Sequence, residues 1–379
     1  MYEQIREDTV YIMLYTVATA MAMMASCYLL FRRGNAFAAD ITPPVRLRQW
    51  TAVFFAVFVL NHLWYMQMFF LTSINDMQMV NLIGGLLDSI TFFPLSIIIL
   101  FAMLQDRRRP LWPAFAMVAP IVVGMAWCVV SRNLVLVPMI FTYLLFMSIG
   151  LIVYMVRALK QYGRWLRDNY ADLEHKELWQ SFTVLVFMLL VFYVYAVCTH
   201  SIVYEYVLQL TVVVLICYLL WRVETLSDLS IPALDAEEAG TTEQKVVTEE
   251  EEGNNVFPTM RDNIGPLLQH YCIDTQLYLQ YDLTLSQLAK AIGTNRYYLS
   301  RYFSSQGLTY NAYINDLRIK HFVSLYHEAV DSKRSITAQQ LAQESGCRSY
   351  STFSCIIKRK TGKSVTAWMK GLNEGLGAP

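Results

Sequence analysis

Long apolar runs alternate with short polar loops through the first 222 residues of the chain. A helix needs about 20 mostly apolar residues to cross a bilayer. The first run is too long for a cleavable signal peptide, and the residues before it are acidic rather than basic. The pattern therefore predicts seven transmembrane helices: Thr9–Phe31, Trp50–Leu71, Val80–Leu104, Leu111–Val130, Leu134–Val156, Ser181–Thr199 and Ser201–Trp221.

The loops between these runs differ in their basic residues. One set of loops holds twelve Lys and Arg side chains, and the opposite set, with the N-terminal segment, holds two, Arg6 and Arg132. The positive-inside rule places the richer set in the cytoplasm. With seven spans the N-terminus is then outside and everything after Trp221 is cytoplasmic, as in a multi-pass protein of the bacterial cytoplasmic membrane. The twelve are Arg32, Arg33, Arg46, Arg48, Arg107, Arg108, Arg109, Arg157, Lys160, Arg164, Arg167 and Lys176.

The composition agrees with a chain that lies partly in lipid. Hydrophobic residues make up 55% and charged residues 16%, with a mean hydropathy of +0.35. Soluble domains carry about 25% charged residues. The composition excludes a disordered chain and argues against an ordinary soluble enzyme. The seven cysteines show no paired spacing, so neither a disulfide framework nor a zinc site is predicted, and no cofactor is expected.

A net charge of zero conceals three segments of different charge. Residues 1–222 carry a net +3, residues 223–260 a net −9 and residues 261–379 a net +6. The middle segment is poor in aromatic residues and contains the run Glu249–Glu252, so it cannot bury enough apolar surface to order itself. We therefore predict a membrane domain over residues 1–222, an acidic flexible linker over 223–256 and a separate domain over 257–379.

A few ionisable residues lie inside the predicted spans: His62, Asp88 and Glu205, with His200 at a rim. Charged groups are costly in hydrocarbon and are often functional. Their positions along the spans place all four in the outer half of the bundle, with Asp88 roughly 12 Å deep at 1.5 Å per residue. They could form a pocket that binds a small ligand from outside. They could equally be interhelical hydrogen bonds that hold the bundle together.

Two further features concern the shape of the spans. Pro94, Pro120 and Pro138 lie within predicted spans and could kink them. The cytoplasmic stretch Arg157–Gln180 mixes Leu and Trp with charges. This pattern is compatible with a helical extension of the fifth span, which we favour, and with a helix on the membrane surface or paired with a partner subunit.

The C-terminal segment contains an internal repeat. The pattern T-x-x-Q-L-A-x-x-x-G occurs from Thr284 to Gly293 and again from Thr337 to Gly346, at an offset of 53 residues. Each T-x-x-Q predicts a capping box that begins a helix, and each Gly predicts a helix end with positive φ. A second helix follows each copy. The first is predicted over Asn295–Ser305, with Leu299 and Phe303 packed in the core, and the second over Tyr350–Lys360, with Phe353 and Ile357 packed in the core. The pattern predicts two helix-turn-helix motifs joined by a helix over Ala312–Glu328.

These residues carry a family resemblance. Leu268–Gly371 resembles the DNA-binding domain of the AraC/XylS family of bacterial transcription regulators. The matching runs are LTLSQLAKAIGTNRYYLSRYF, GLTYNAYINDLRIKHF and ITAQQLAQESGCRSYSTFSCIIKRKTGKSVTAWMK. They cover a little over a quarter of the chain, and the membrane block has no motif that names a family. The resemblance implies double-stranded DNA and RNA polymerase as partners, and a homodimer is compatible with it.

The resemblance further implies that the second helix of each motif enters the major groove, where all four base pairs can be distinguished. The basic residues after the second helix would contact phosphates, which position the protein without specifying sequence. Carried over by position, the groove helix of the first motif presents Arg296, Tyr297, Ser300 and Arg301, and that of the second motif presents Tyr350, Ser351, Thr352 and Ser354. The implied phosphate contacts are Lys358, Arg359, Lys360 and Lys363.

The second copy departs from the family pattern. Cys347 and Ile357 stand where the family usually has Phe, Cys355 where an Arg is common, and Val365 where Pro is usual. We therefore expect looser packing and weaker DNA reading in the second copy, with specificity resting mainly on the first.

The leading interpretation is an all-α, membrane-embedded, sequence-specific DNA-binding transcription regulator that senses an unknown signal, a small molecule or the membrane itself, through its spans. The alternative is a transporter or an enzyme with an accessory DNA-binding tail. The sequence has no HExxH, GxSxG or P-loop motif, and we see neither inverted repeats nor abundant intramembrane charge. We therefore expect no enzymatic activity. A third class is an anchor that tethers DNA to the membrane without regulation.

Overall fold

The computed structural model describes residues 8–32, 35–37, 41–184, 186–187, 190, 202–229, 263–334 and 336–373. Throughout these ranges all regular structure is helical, and none of it is β-strand. The chain divides into two compact units. Unit 1 comprises Met1–Tyr162 and His175–Ser230, and unit 2 comprises Gly163–Glu174 and Ile231–Pro379.

Unit 1 is built from long apolar helices. The first predicted span is a helix with the same bounds. The predicted extension of the fifth span is helical to Asn169, but the rest of it is not helical over 170–178. Six helical stretches in the described residues are long and apolar enough to cross a membrane, and one of them, Ile74–Met103, consists of two successive helices. Of the predicted span Ser181–Thr199, residues 181–184, 186–187 and 190 are helical and the others lie outside the described residues. The helices are α1 Thr9–Phe31, α2 Val45–Tyr65, α3 Ile74–Ile90, α4 Phe92–Met103, α5 Trp112–Ser131, α6 Val137–Asn169 and α7 Ile202–Thr225, with a 3₁₀ turn Met66–Phe69 after α2.

Small side chains let α1 and α2 approach closely. Ala18 and Ala22 on α1 are fully buried, and the Ser26 hydroxyl donates a 2.9 Å hydrogen bond to the carbonyl of Ala52 on α2. Small interfacial residues and hydroxyl hydrogen bonds are the usual means by which helices associate in lipid, where no hydrophobic force draws them together. The start of α1 is fixed by the Asp8 carboxylate, which accepts from the backbone N–H groups of Val10 and Tyr11.

The three prolines have different effects on the helices. The predicted span Val80–Leu104 is interrupted at Thr91, where α3 ends and α4 begins. Pro94 lies three residues later, and a proline ring disfavours a continuous helix through the preceding turn. Pro120 lies inside α5, whereas Pro138 falls in the first turn of α6, where a missing N–H costs nothing.

The first residues of the predicted acidic linker belong to unit 1 instead. Helix α7 extends to Thr225, and Glu224 is fully buried. Its carboxylate lies 3.6 Å from Nε of Arg48 and accepts a 3.1 Å hydrogen bond from the Tyr28 hydroxyl. A buried carboxylate is tolerated only with such partners. The remainder of the predicted linker, from residue 230, lies outside the described residues.

Unit 2 contains one long α-helix of 22 residues and five of 7 to 12 residues within its described residues, besides the segments named next. A helical segment over 263–268, a π-helical turn Gln269–Asp274 and a 3₁₀ turn Leu277–Leu279 precede them. The helix predicted over Ala312–Glu328 is longer than expected at both ends. The six are α8 Leu285–Ala291, α9 Arg296–Ser305, α10 Tyr310–Asp331, α11 Ala338–Glu344, α12 Tyr350–Thr361 and α13 Val365–Asn373.

The local features predicted for the repeat are confirmed. Thr284 with Gln287 and Thr337 with Gln340 both form complete capping boxes, at the starts of α8 and α11. The two glycines that follow have φ angles of 72° and 87°, in the left-handed region that glycine favours. The repeat therefore folds in the same way twice, because each copy carries its own start and stop signals.

Each pair of helices encloses its own core, and α10 contributes to both. Leu299 and Phe303 are buried in the first core, and Phe353 and Ile357 in the second, as predicted. Between the cores, Arg318 of α10 is 1% exposed and donates 2.8 Å hydrogen bonds to the carbonyls of Tyr278 and Gln280. The guanidinium thereby ties α10 to the turn that precedes α8.

The unusual residues of the second copy fit its core. Cys347 and Ile357 are fully buried, and Val365 is nearly so. Phe322 of α10 stacks on Phe353 of α12 with ring centroids 4.3 Å apart. These residues therefore belong to the second core, and the expectation of looser packing there stays a prediction.

Candidate nucleic-acid interface

Helix α9 presents a polar surface opposite its buried face. Asn295 caps the helix by accepting a 2.9 Å hydrogen bond from the N–H of Tyr298. Arg296 and Tyr297 are exposed, while Ser300 and Arg301 are half-buried. The Arg301 guanidinium lies one turn after Tyr297 and donates to its hydroxyl at 3.4 Å. The four predicted contact residues therefore lie on one helix, and they include two guanidinium groups and a phenol.

Helix α12 differs from α9 at its N-terminus. Tyr350 and Ser351 are exposed and Ser354 is half-buried, but Thr352 is only 9% exposed. Thr352 is covered because its hydroxyl, like that of the N-cap residue Ser349, donates to the carboxylate of Glu174. Three of the four predicted contact residues of α12 are thus accessible to solvent, and the fourth, Thr352, is hydrogen-bonded to Glu174.

The predicted phosphate contacts cluster at the other end of α12. Lys358, Arg359 and Lys360 form its last turn and Lys363 follows Gly362; all four are exposed. Cations in the last turn also favour the helix dipole, which gives them a structural role besides any role in binding. Nζ of Lys360 lies 2.8 Å from the carboxylate of Asp316 on α10. A phosphate that bound Lys360 would have to compete with that carboxylate.

A segment remote in sequence forms part of unit 2. Tyr170 pairs with Thr284 in an isolated antiparallel bridge, and the N–H of Ala171 donates to the carbonyl of Leu283 at 3.3 Å. Ala171 is 1% exposed within the first core. Its carbonyl accepts from the amide of Asn311 at 2.6 Å and from that of Asn315 at 3.3 Å. Sequence reasoning missed this segment, because no local pattern marks a contact between residues about 140 positions apart.

The ionisable residues of the spans have separate sets of partners. Asp88 accepts from the Asn61 amide at 2.7 Å and from the Tyr65 hydroxyl at 2.9 Å. His62 packs edge-on against Tyr15 and Phe58. Glu205 accepts a 3.2 Å hydrogen bond from the Tyr11 hydroxyl, and the predicted fourth member, His200, lies outside the described residues. These contacts are of the kind that joins helices, and the tyrosines that make them were not predicted.

Unit 1 also contains an apolar cavity of about 170 Å³ that the sequence did not indicate. Its lining includes Phe54, Phe92, Leu100, Leu215 and Tyr218. The Tyr218 hydroxyl is buried and has no hydrogen-bond partner among the described residues. His62, Asp88 and Glu205, the three residues of the predicted ligand pocket that the structure describes, do not line this cavity.

Two cysteines of unit 2 are buried in its cores. Burial raises the pKa of the Cys272 and Cys347 thiols to about 11, so both stay protonated and unreactive near neutral pH. In the portion of the chain that the structure describes, no three His, Cys, Asp or Glu side chains are grouped as metal ligands.

The sequence matches no protein-family model, no curated protein and no solved structure.

Proposed function

We propose that the protein is a membrane-embedded, DNA-binding transcription regulator, with α8–α9 and α11–α12 as two helix-turn-helix motifs. The observation that carries the proposal is the repeated unit itself. Two capped helix pairs, each ending in an accessible polar helix, flank one long helix in a segment of net charge +6. Paired helices that present a second helix to the major groove are a common means of reading DNA sequence, and a basic surface supplies the non-specific attraction.

The membrane part of the proposal rests on the six helices that are long and apolar enough to span a bilayer. With a seventh span over residues 181–199, the excess of basic residues in one set of loops supports a cytoplasmic position for unit 2, where DNA is. Fusing reporters of cytoplasmic and external location to the C-terminus tests this orientation. An external C-terminus would contradict both the topology and the DNA-binding role.

DNA binding is tested with the full chain in lipid nanodiscs and a pool of random duplexes. We expect one sequence pattern to be enriched, and log K to fall against log salt with a slope near −4 to −5 for roughly five phosphate contacts. Arg301→Ala should relax the selected pattern, whereas the matched control Arg334→Ala, on the exposed turn after α10, should not. A pool without enrichment and a flat salt response would contradict the proposal.

Regulation is tested separately from binding. Reporter transcription from a selected site should depend on the presence of residues 1–162 and 175–222, if the spans transmit a signal; Gly163–Glu174 is retained in the shortened chain because it belongs to unit 2. Unchanged transcription without the spans would favour a passive anchor, and solute transport by the purified protein would favour the transporter.

A further inference from the structure

The segment Tyr170–Glu174 follows directly after α6, and it lies in unit 2 as part of that unit's own structure. Its backbone is fixed by the bridge to Thr284 and by the amides of Asn311 and Asn315. The Asp172 carboxylate is 2% exposed and accepts a 3.0 Å hydrogen bond from the N–H of Glu174. Because the backbone of this segment is fixed, the Glu174 side chain at its end has a defined position.

That position is the N-terminus of α12. Ser349 is the N-cap of α12, and its hydroxyl accepts a 3.1 Å hydrogen bond from the N–H of Thr352. The Glu174 carboxylate accepts from the same Ser349 hydroxyl at 2.7 Å and also from the Thr352 hydroxyl. A carboxylate at a helix N-terminus is favoured by the helix dipole, and charged hydrogen bonds are about twice as strong as neutral ones. Glu174 thus supplies to α12 a carboxylate that α12 lacks within its own first turn.

The same end of α12 is the end that a helix-turn-helix directs at DNA. The N-terminal residues of such a helix contact base edges, and its backbone N–H end is a natural place for a phosphate. A carboxylate bound there repels a phosphate and covers Thr352. While Glu174 is in place, α12 cannot approach a duplex with this end.

We propose that Tyr170–Glu174 is an autoinhibitory latch that blocks the N-terminal end of α12 from DNA until it is released. The inference rests on the proposed function of unit 2. Because the latch is continuous with α6, a rearrangement of α6 that favoured the undocked segment would raise the fraction of protein whose two helices can both bind. The latch thereby gives a membrane signal a direct route to DNA affinity.

The test uses the full chain in nanodiscs with Glu174→Gln. Glutamine keeps the side-chain length but loses the charge, so the hold on Ser349 and Thr352 weakens while the buried contacts of Ala171 remain. We expect about tenfold tighter binding to a selected duplex, the ratio that corresponds to one lost charged hydrogen bond. The matched control is Glu177→Gln, an exposed carboxylate three residues later with the same charge change, which should leave affinity unchanged.

A second measurement distinguishes failure of the latch proposal from failure of the DNA-binding proposal. Asn311→Ala removes the strongest hydrogen bond to Ala171, so hydrogen exchange of the peptide containing residues 170–174 should accelerate, and DNA affinity should rise with it. Faster exchange without tighter binding, or equal gains from Glu174→Gln and Glu177→Gln, would overturn the latch while the DNA-binding proposal stood. Failure of the wild type and of every variant to bind DNA would overturn the proposed function, and the latch with it.

Discussion

A Cβ atom built on Gly346 would lie 2.7 Å from the Cα of Leu279, closer than any real side chain tolerates. Gly346 ends α11 and Leu279 belongs to the 3₁₀ turn before α8, so the two halves of the repeat touch through backbone at this point. The salt bridge between Arg348 and Asp282 at 3.0 Å lies beside it. The close approach joins the end of α11 to the turn before α8. Under the proposed function, this contact would help to set the relative positions of the two helix-turn-helix motifs.

Alanine at Gly346 should therefore be far more damaging than alanine at Gly293, its counterpart in the first copy. Both glycines have positive φ, so each substitution costs about 1–2 kcal/mol in backbone conformation. A Cβ at Gly293 has no neighbour within 4 Å, whereas one at Gly346 must push the turn at Leu279 away. We expect Gly346→Ala to destabilise unit 2 by about 1–3 kcal/mol more than Gly293→Ala. Pulse proteolysis of the full chain in urea measures the difference, and equal losses would show that the halves do not pack as described.

Cysteine reactivity provides a test of the core of unit 2. Burial raises the pKa of Cys272 and Cys347 to about 11, so at pH 8 only about one thiol in a thousand is a thiolate, the reactive form. Cys355 is exposed on α12. Under native conditions N-ethylmaleimide should modify Cys355 within minutes and spare the other two, as read by peptide mass spectrometry. In denaturant all three should react, and native labelling of Cys347 would mean that the second core is open.

Interactions between residues close in sequence could be predicted, and those between distant residues could not. Thr284 with Gln287, and Thr337 with Gln340, were predicted because a capping box is written in four consecutive residues. The contacts of Ala171 and Glu174 were not, because they join residues far apart and neither side carries a periodic signal. The charge of Glu224 suggested a solvated linker, but the basic Arg48 that pairs with it lies 176 positions away. Local rules identify elements, and only the fold shows which distant charges meet.

The hydrogen bonds of Asp88 allow its structural role to be separated from a sensing role. Its two carboxylate oxygens accept from Asn61 and from the Tyr65 hydroxyl. Asparagine can keep both contacts, because the Tyr65 hydroxyl can turn to accept from the new amide. Alanine leaves both polar groups without this partner, at a cost of about 1–2 kcal/mol.

We therefore expect Asp88→Ala to lower the amount of protein in the membrane and Asp88→Asn to leave it unchanged, as measured by immunoblot. Reporter output measured beside protein level then answers the functional question. Lost output in Asp88→Asn at normal protein level would support a sensing pocket that includes Asp88. Unchanged output would leave Asp88 as a helix contact only.

Because Asp316 pairs with Lys360, we expect removal of the Asp316 charge to strengthen DNA binding. Nζ of Lys360 is held 2.8 Å from the Asp316 carboxylate, and both side chains are partly exposed. Such pairs are worth about 0.2–1 kcal/mol, so the pair competes measurably with a phosphate without preventing its binding. Asp316→Asn removes the competitor and one negative charge from the candidate surface. We expect two- to fivefold tighter DNA binding and a salt slope steeper by about 1, since one more phosphate contact releases about one more counterion. Asp331→Asn, at the exposed end of the same helix, makes the same change in net charge away from Lys360. If it strengthens binding equally, the effect belongs to net charge, and Lys360 does not contact phosphate.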